Sequence, residues 1–376
     1  MKICFVMACA YMDGGTRVIA TYADRLKKRG HDVTVISAPR PQPNFRQRLQ
    51  SLSRLQGWGF PRQSRQASHL DLVDVDHRVI DRCRPVTDED IPDGDVVIAT
   101  WWETAEWVRD LSPAKGAKVY FIQHHELFFD GQPGERVAAT WRMPLRKITI
   151  SRWLQELANT EYGDPDVALI LNSVDTMQFN APERGRQSTP TVGMLYSTMG
   201  FKGCDVSLKA FDLAARQVPG LRMVAFGAEP VAPQLQLPAN SEFHLRPAQA
   251  DLKNLYAKCD VWLCGSHSEG FHLPPLEAMA CRCPVVSTSV GGSVDIIEPG
   301  VNGYLTSPGD SGDLAQKLMS VLKMPDAHWR QMSDAAFATA NRYSWDDAAV
   351  LFERALESAV QKTNLSVSTA TAHAPA

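Results

Sequence analysis

The sequence predicts an α/β protein of two tandem halves, each a parallel sheet with helices on both faces. Three observations predict it. Short apolar runs alternate with helical patterns from residue 3 to residue 172. A polar break containing Pro and Gly follows at 180–190, and the same alternation then starts again. The chain has 376 residues, too many for one ordinary domain and comfortable for two.

The elements follow in order. Residues 3–8 read as a strand, 16–29 as a helix closed by Gly30, and 32–36 as a second strand. Residues 95–99, 118–122 and 147–150 are further strands, 152–159 a helix, and 167–171 a strand that ends at Asn172. After the break, strands are expected at 191–196, 222–226, 242–245, 260–264 and 284–287, with helices at 204–217 and 250–258. A last helix is expected over 346–360. The Ser/Thr/Ala-rich stretch 362–376 has no periodic apolar pattern and is expected to be an irregular tail.

Composition narrows the class. Hydrophobic content of 44% with 22% charged residues is ordinary for a soluble globular protein. A net charge of −3 gives no global reason to expect a nucleic-acid partner. No apolar run approaches the ~18 residues of a membrane span, and the apolar N-terminus reads as a first strand and not as a signal peptide. Of the eight cysteines, Cys4, Cys9, Cys259, Cys264 and Cys283 lie in or beside apolar runs, as buried thiols do. The spacing Cys281-Arg-Cys283 fits neither a zinc ribbon nor a thioredoxin-like motif. Reduced thiols, a cytoplasmic location and no metal site are expected.

The most informative stretch is residues 268–280, SEGFHLPPLEAMA. A strand precedes it and an apolar helix-forming run ends it, and Pro274 and Pro275 suit the first helical positions. Free N–H groups at such a turn suit an anion. Glu269 and Glu277 flank it and can accept hydrogen bonds from hydroxyls on either side. A nucleotide-sugar has that shape: sugar hydroxyls, diphosphate, ribose hydroxyls. A plain helix cap with two solvated acids is the alternative.

This segment resembles the E-x7-E motif of retaining glycosyltransferases of family 4, and SEGFHLPPLEAMACRCPVV follows that family's pattern over most positions. The resemblance implies the GT-B fold, two tandem Rossmann-like domains with an interdomain cleft. It makes 1–183 an N-terminal acceptor domain, 190–344 a C-terminal donor domain, and 345–361 a helix that crosses back onto the first. It further implies that Glu269 holds donor-sugar hydroxyls, Glu277 the ribose and Lys202 the diphosphate. Gly270, Phe271 and His272 join the donor side, and Arg246 lies where the base is held. Either His124 or His125 lies near the reacting centre. Met194 stands where the family usually has a diphosphate-binding arginine, so the second positive charge must come from elsewhere, either Arg17 or the helix N-terminus at Gly270-Phe271. Gly14 and Gly15, in a loop that opens a helix, resemble the loop facing donor and acceptor; alone they read as a tight turn. Trp101, Trp102 and Glu103 follow a strand and are acceptor-site candidates, because aromatic faces stack on sugars. Core packing is the other reading. The mechanism implied is front-face transfer without a metal or cofactor, the departing diphosphate helping to deprotonate the acceptor.

Residues 37–70 contain no Asp or Glu. Arg40, Arg46, Arg48, Arg54, Arg62 and Arg65 are interleaved with Phe45, Leu49, Leu52, Leu55, Trp58 and Phe60. Such a stretch suits the anionic inner face of a cell membrane; a mobile insertion or a pocket for an anionic acceptor are its other readings. The expected function is sugar transfer from a nucleoside diphosphate donor to a glycan or lipid-linked acceptor in surface polysaccharide or glycoconjugate assembly. A non-hydrolysing sugar-nucleotide epimerase and a non-catalytic nucleotide-sugar-binding subunit are the alternatives.

Overall fold

The structure, a computed structural model, describes residues 1–40, 67–128 and 131–372. Most of the basic segment, 41–66, lies outside the described residues.

Seven strands form the first sheet: β1 (Lys2–Met7), β2 (Asp32–Ser37), β3 (Asp76–Val79), β4 (Val96–Ala99), β5 (Ala117–Ile122), β6 (Arg146–Thr149) and β7 (Ala168–Leu169). Their spatial order is β3-β2-β1-β4-β5-β6-β7. Six strands form the second: β8 (Thr191–Tyr196), β9 (Arg222–Gly227), β10 (Ser241–Leu245), β11 (Val261–Cys264), β12 (Val285–Thr288) and β13 (Gly303–Thr306). Their order is β10-β9-β8-β11-β12-β13. Every pairing is parallel. Parallel strands need crossover helices, which cover both faces, so β4, β11 and β12 are buried along their whole length. This is the expected pair of Rossmann-like sheets. The segment between β7 and β8 carries no helix or strand, and the polar break at 180–190 lies within it.

The first-half helices are α1 (Gly14–Lys28), α2 (Trp102–Arg109), α3 (Gly134–Trp141) and α4 (Arg152–Thr160). The second half has α5 (Cys204–Ala215), α6 (Leu252–Ala257), α7 (Leu273–Ala280), α8 (Ser293–Ile296), α9 (Ser311–Lys323) and α10 (Asp326–Asn341), and α11 (Trp345–Ala372) ends the described chain. Among the described residues, no helix is long and apolar enough to cross a membrane.

Three local readings change. First, α1 begins at Gly14 and not at Thr16, because the Asp13 carboxylate caps it by accepting the Thr16 N–H at 2.7 Å. Second, the edge strand β3 has no counterpart in the apolar runs. Its sequence, Asp-His-Arg-Val, is mostly exposed and charged, as suits an edge that must resist pairing with other chains. Third, the last helix runs to Ala372, through residues expected to be irregular. No Gly or Pro interrupts 361–372, and Pro375 comes only later.

α11 packs on the first sheet. Phe352 stacks on Tyr22 at 4.3 Å between ring centroids and meets Phe121 edge-on at 5.1 Å. Trp345 meets Tyr22 edge-on at 5.5 Å. Arg25 pairs with Asp346 at 2.6 Å and Arg29 with Glu353 at 2.5 Å. The apolar core of the first half therefore includes a helix that follows the second half in sequence. Phe352 is fully buried. Phe352→Ala should destabilise the protein by about 3–5 kcal/mol, read as a lower urea midpoint at unchanged slope.

Candidate active site

In each sheet the chain reverses direction of travel beside one strand: β1 lies between β2 and β4, and β8 between β9 and β11. Loops leaving the carboxyl ends of β1 and β4, or of β8 and β11, diverge and leave a crevice. Gly14 and Arg17 follow β1, and Trp101–Glu103 follow β4. Lys202 follows β8 and Glu269 follows β11. The candidate residues thus gather at the two switch points for topological reasons.

In the second half, β8 ends at Tyr196 and the chain turns through Gly200–Lys202 into α5. Gly203 is left-handed, φ 52°, and a Cβ there would collide with the carbonyl of Gly265, so only glycine lets this loop lie against the end of β11. That contact brings Lys202 Nζ to both oxygens of Glu269, at 3.0 and 2.9 Å. The Ser266 hydroxyl donates to Glu269 Oε1 at 2.8 Å. Glu269 is buried, which alone would raise its pKa; the Lys202 ammonium reverses this and holds it at about 2.

Glu269 leads into Gly270, where a Cβ would collide with the carbonyl of Gln123 in the first half. The Trp153 indole N–H donates to the Gly270 carbonyl at 3.1 Å across the same contact. His272 is left-handed, φ 74°, and caps α7. Its Nδ1 shares a hydrogen bond with the Ser293 hydroxyl at 3.0 Å, and its Nε2 lies 3.6 Å from Glu269 Oε1. Burial lowers its pKa to about 4, so the ring is neutral at pH 7. Phe271 is buried against Gly292, so its side chain offers a donor nothing; only its backbone remains a candidate.

Glu277, in α7, is 4% exposed. The Tyr256 hydroxyl donates to its Oε2 at 2.7 Å. Its Oε1 accepts from Arg17, a residue of α1 in the first half. Arg17 Nη1 lies 3.5 Å from Gln249 Oε1. The two expected carboxylates are therefore each paired with one of the two expected cations. Gly14 and Gly15 form the first turn of α1 with neither in the left-handed region. The Gln123 side-chain amide donates to the Gly15 carbonyl at 3.3 Å.

The structure separates the two histidines. Both rings meet Trp153 edge-on at 6.5 Å, but only His124 also packs edge-on against Phe201 of the second half, at 6.0 Å, and so faces the cleft. His125 turns the other way, with Nε2 hydrogen-bonded to the Tyr162 hydroxyl at 2.8 Å and its ring against Trp141 at 5.4 Å. Of the two histidines the sequence left undecided, His124 is the one that meets the second half. Trp102 is corrected: it is buried, its indole N–H donates to Gln132 at 2.9 Å, and Arg136 covers its face at 4.8 Å. Trp101 and Glu103 are half-buried. Arg246 is exposed, with φ 49°, and its Nε–H donates to the Ala228 carbonyl at 2.7 Å.

Met194 is not at the site. It lies inside β8, 1% exposed, among the apolar side chains under α5. An arginine at this position of this chain would sit in the core. The positions free to reach the crevice begin after Tyr196.

Residues 12–178 match the family described as Glycosyltransferase Family 4, and residues 180–339 match Glycosyl transferases group 1. The chain belongs to the family 4 glycosyltransferases. It is 30% identical over 210 residues to a D-inositol 3-phosphate glycosyltransferase of Mycobacterium avium, covering 51% of this chain and 49% of the relative. It is 32% identical over 165 residues to that of Mycobacterium bovis, covering 40% of this chain and 34% of the relative. The matched part thus spans half or less of these curated relatives. Similar solved structures include sucrose-phosphate synthase from Thermosynechococcus elongatus, with a TM-score of 0.69 at 16% identity over 94% of this chain and 98% of that one. Anabaena HepE in complex with UDP and glucose has a TM-score of 0.68 at 18% identity, over 95% and 99% of the two chains. The pneumococcal O-GlcNAc transferase GtfA in complex with UDP and GlcNAc has 0.69 at 12%, over 96% and 99%. At these identities the likeness establishes the fold, which is GT-B.

Two predictions follow from the electrostatics of this family 4 chain. Lys202→Met leaves Glu269 without its cation. It should cost on the order of 2 kcal/mol at pH 7, less than the ~3–5 kcal/mol of a fully buried pair, because Lys202 is 25% exposed. Glu269's folded pKa is depressed, so its contribution is present above the ordinary value of 4.5 and fades towards about 2. The gap between the two proteins in urea titrations should therefore narrow below pH 4.5.

Glu126 behaves oppositely. It is fully buried, its Oε1 accepts from the Tyr120 hydroxyl at 3.3 Å, and burial raises its pKa to about 8. The folded state then holds a proton that the unfolded chain loses above 4.5, so stability falls as pH rises from 4.5 to about 8. Glu126→Gln should abolish that slope and gain at least about 1 kcal/mol above pH 8.

Proposed function

We propose that the chain transfers a sugar, with retention, from a nucleoside diphosphate donor to a glycan or lipid-linked acceptor. One observation carries the reading: the cleft stores its charges as two ion pairs, Lys202–Glu269 and Arg17–Glu277. A nucleotide-sugar satisfies both members of both pairs. Its sugar and ribose hydroxyls suit the two carboxylates, and its diphosphate suits the two cations. A plain anion would meet the carboxylates with repulsion, and a plain sugar would leave the cations unmatched.

In this reading Glu269, ionised at all ordinary pH, accepts hydrogen bonds from donor-sugar hydroxyls, and Glu277 accepts from the ribose. Lys202 offsets the charge that builds on the leaving diphosphate, so that no metal is needed for that purpose. His124, neutral near pH 7 because burial lowers its pKa, borders the reacting centre from the acceptor half. Trp101 and Glu103 border the acceptor's approach. Attack comes from the face the diphosphate leaves, and the diphosphate takes the acceptor's proton. The names of the mycobacterial relatives support transfer to a polar acceptor, and the UDP complexes of the structural neighbours support the donor class. The setting is cytoplasmic surface-glycan or glycoconjugate assembly, on the inner face of the membrane. The binding-subunit alternative drew its motive from the arginine missing at Met194, and Arg17 is a second cation in the same cleft.

Thermal shift with UDP, GDP and dTDP tests the reading. A nucleotide at 100 times its dissociation constant should add about 2.7 kcal/mol; absence of a shift with all three would overturn it. Glu277→Ala should weaken binding of the active nucleotide more than tenfold, about 1.4 kcal/mol, with an unchanged far-UV spectrum.

A further inference from the structure

The two ion pairs differ in one respect. Lys202–Glu269 lies within the second half, whereas Arg17–Glu277 joins the halves, 260 residues apart in sequence. Both oxygens of Glu277 are occupied in this arrangement. Oε2 is held by Tyr256, a fully buried neighbour from the same half. Oε1 is held by Arg17, whose side chain is 24% exposed and sits at the end of a flexible stem. Each oxygen has lone pairs to spare, but a ribose that approaches Glu277 from the cleft meets Oε1 on the side where Arg17 stands, because Tyr256 is enclosed and Arg17 is not.

We propose that Arg17 is a self-competitor for the ribose seat: it latches Glu277 across the empty cleft and gives the carboxylate up to the donor's ribose. Released, the guanidinium moves to the donor's diphosphate. α1 stays in place, because Asp13 caps it and Arg25 and Arg29 tie it to α11. Arg17 is thus a specificity-determining residue that works through exchange of partners. A ligand with ribose but no phosphate breaks the latch and offers Arg17 nothing in return. A nucleoside diphosphate replaces what it breaks. Because the latch spans the halves, the exchange also couples donor binding to their relative position. The proposal rests on the donor reading above.

The test compares a nucleoside with its diphosphate. The nucleotide among UDP, GDP and dTDP that binds the unmodified protein is chosen with its matching nucleoside, and both are titrated calorimetrically into that protein, Arg17→Met and Arg17→Lys. In Arg17→Met the nucleoside should bind at least threefold more tightly than to the unmodified protein, and the diphosphate at least threefold more weakly. Their affinity ratio should therefore fall about tenfold. Arg17→Lys, which keeps the charge, should stay close to the unmodified ratio. Equal weakening of nucleoside and diphosphate in Arg17→Met, or an unchanged nucleoside affinity, would overturn the proposal. If Arg17→Met does not fold, Arg17→Gln serves, with the same outcomes. Failure of all three nucleotides to bind the unmodified protein would instead overturn the donor reading.

Discussion

The missing side chain of Gly270 governs how the two halves meet. A Cβ there would run into the carbonyl of Gln123, so any other residue would push the second half off the end of β5. With glycine, the backbone after Glu269 lies directly on the first half and accepts a hydrogen bond from Trp153. Arg152 adds a second tether, its backbone N–H donating to Asp295 at 3.1 Å. At this spacing Arg17 reaches Glu277 and His124 reaches Phe201. The cleft residues therefore come together because a single position has no side chain to keep them apart.

That closeness explains the electrostatics. Two carboxylates nearly out of water are tolerable only if each has a cation and a hydroxyl: Lys202 and Ser266 for Glu269, Arg17 and Tyr256 for Glu277. The buried groups without a countercharge take the other course. His125 stays neutral, with a pKa near 4, and Glu126 holds its proton to about pH 8; His272 is also neutral, near 4, because its burial outweighs the pull of the Glu269 carboxylate 3.6 Å away. The two cleft carboxylates stay charged because each has a cation in hydrogen-bond contact.

Much of this was legible in the sequence and some was not, for definable reasons. The strand, turn and helix around Glu269 could be read because Pro274 and Pro275 mark a helix start and an apolar run marks a buried strand. The two-sheet organisation followed from the alternation of elements, and the resemblance to family 4 enzymes rested on the same phrase. That Met194 points into the core could not be read because β8 is covered on both faces: four consecutive residues are buried, so no period of two shows which side chains face where. His124 and His125 could not be told apart because they follow β5, beyond the alternation of the strand itself. Trp102 looked like a loop residue, whereas it opens α2 and turns inward. The pairing of Arg17 with Glu277 lay beyond any local pattern, since only the docking of the halves creates it. A charged first-turn residue facing the cleft from α1 was the one available signal.

Backbone strain follows the same geography. Among the described residues, Arg246, His272 and Arg282 are the non-glycine residues with positive φ. Two of the three lie at the carboxyl edge of the second sheet, where the candidate donor site is. Left-handed backbone costs an L-residue roughly 1–2 kcal/mol, and His272 would be relieved of it as a glycine. What holds the ring in place is the Ser293 hydroxyl on one side and the Glu269 carboxylate on the other. The imidazole fills the space behind Glu269 that a glycine would leave open. It thereby fixes one wall of the carboxylate's cage, while Lys202 and Ser266 hold the others. A strained residue retained beside a buried charge is what is expected where orientation of that charge matters more than local stability. The direction in which Glu269 points is set by residues that themselves face no solvent, and only the Lys202 side of the cage opens onto the cleft.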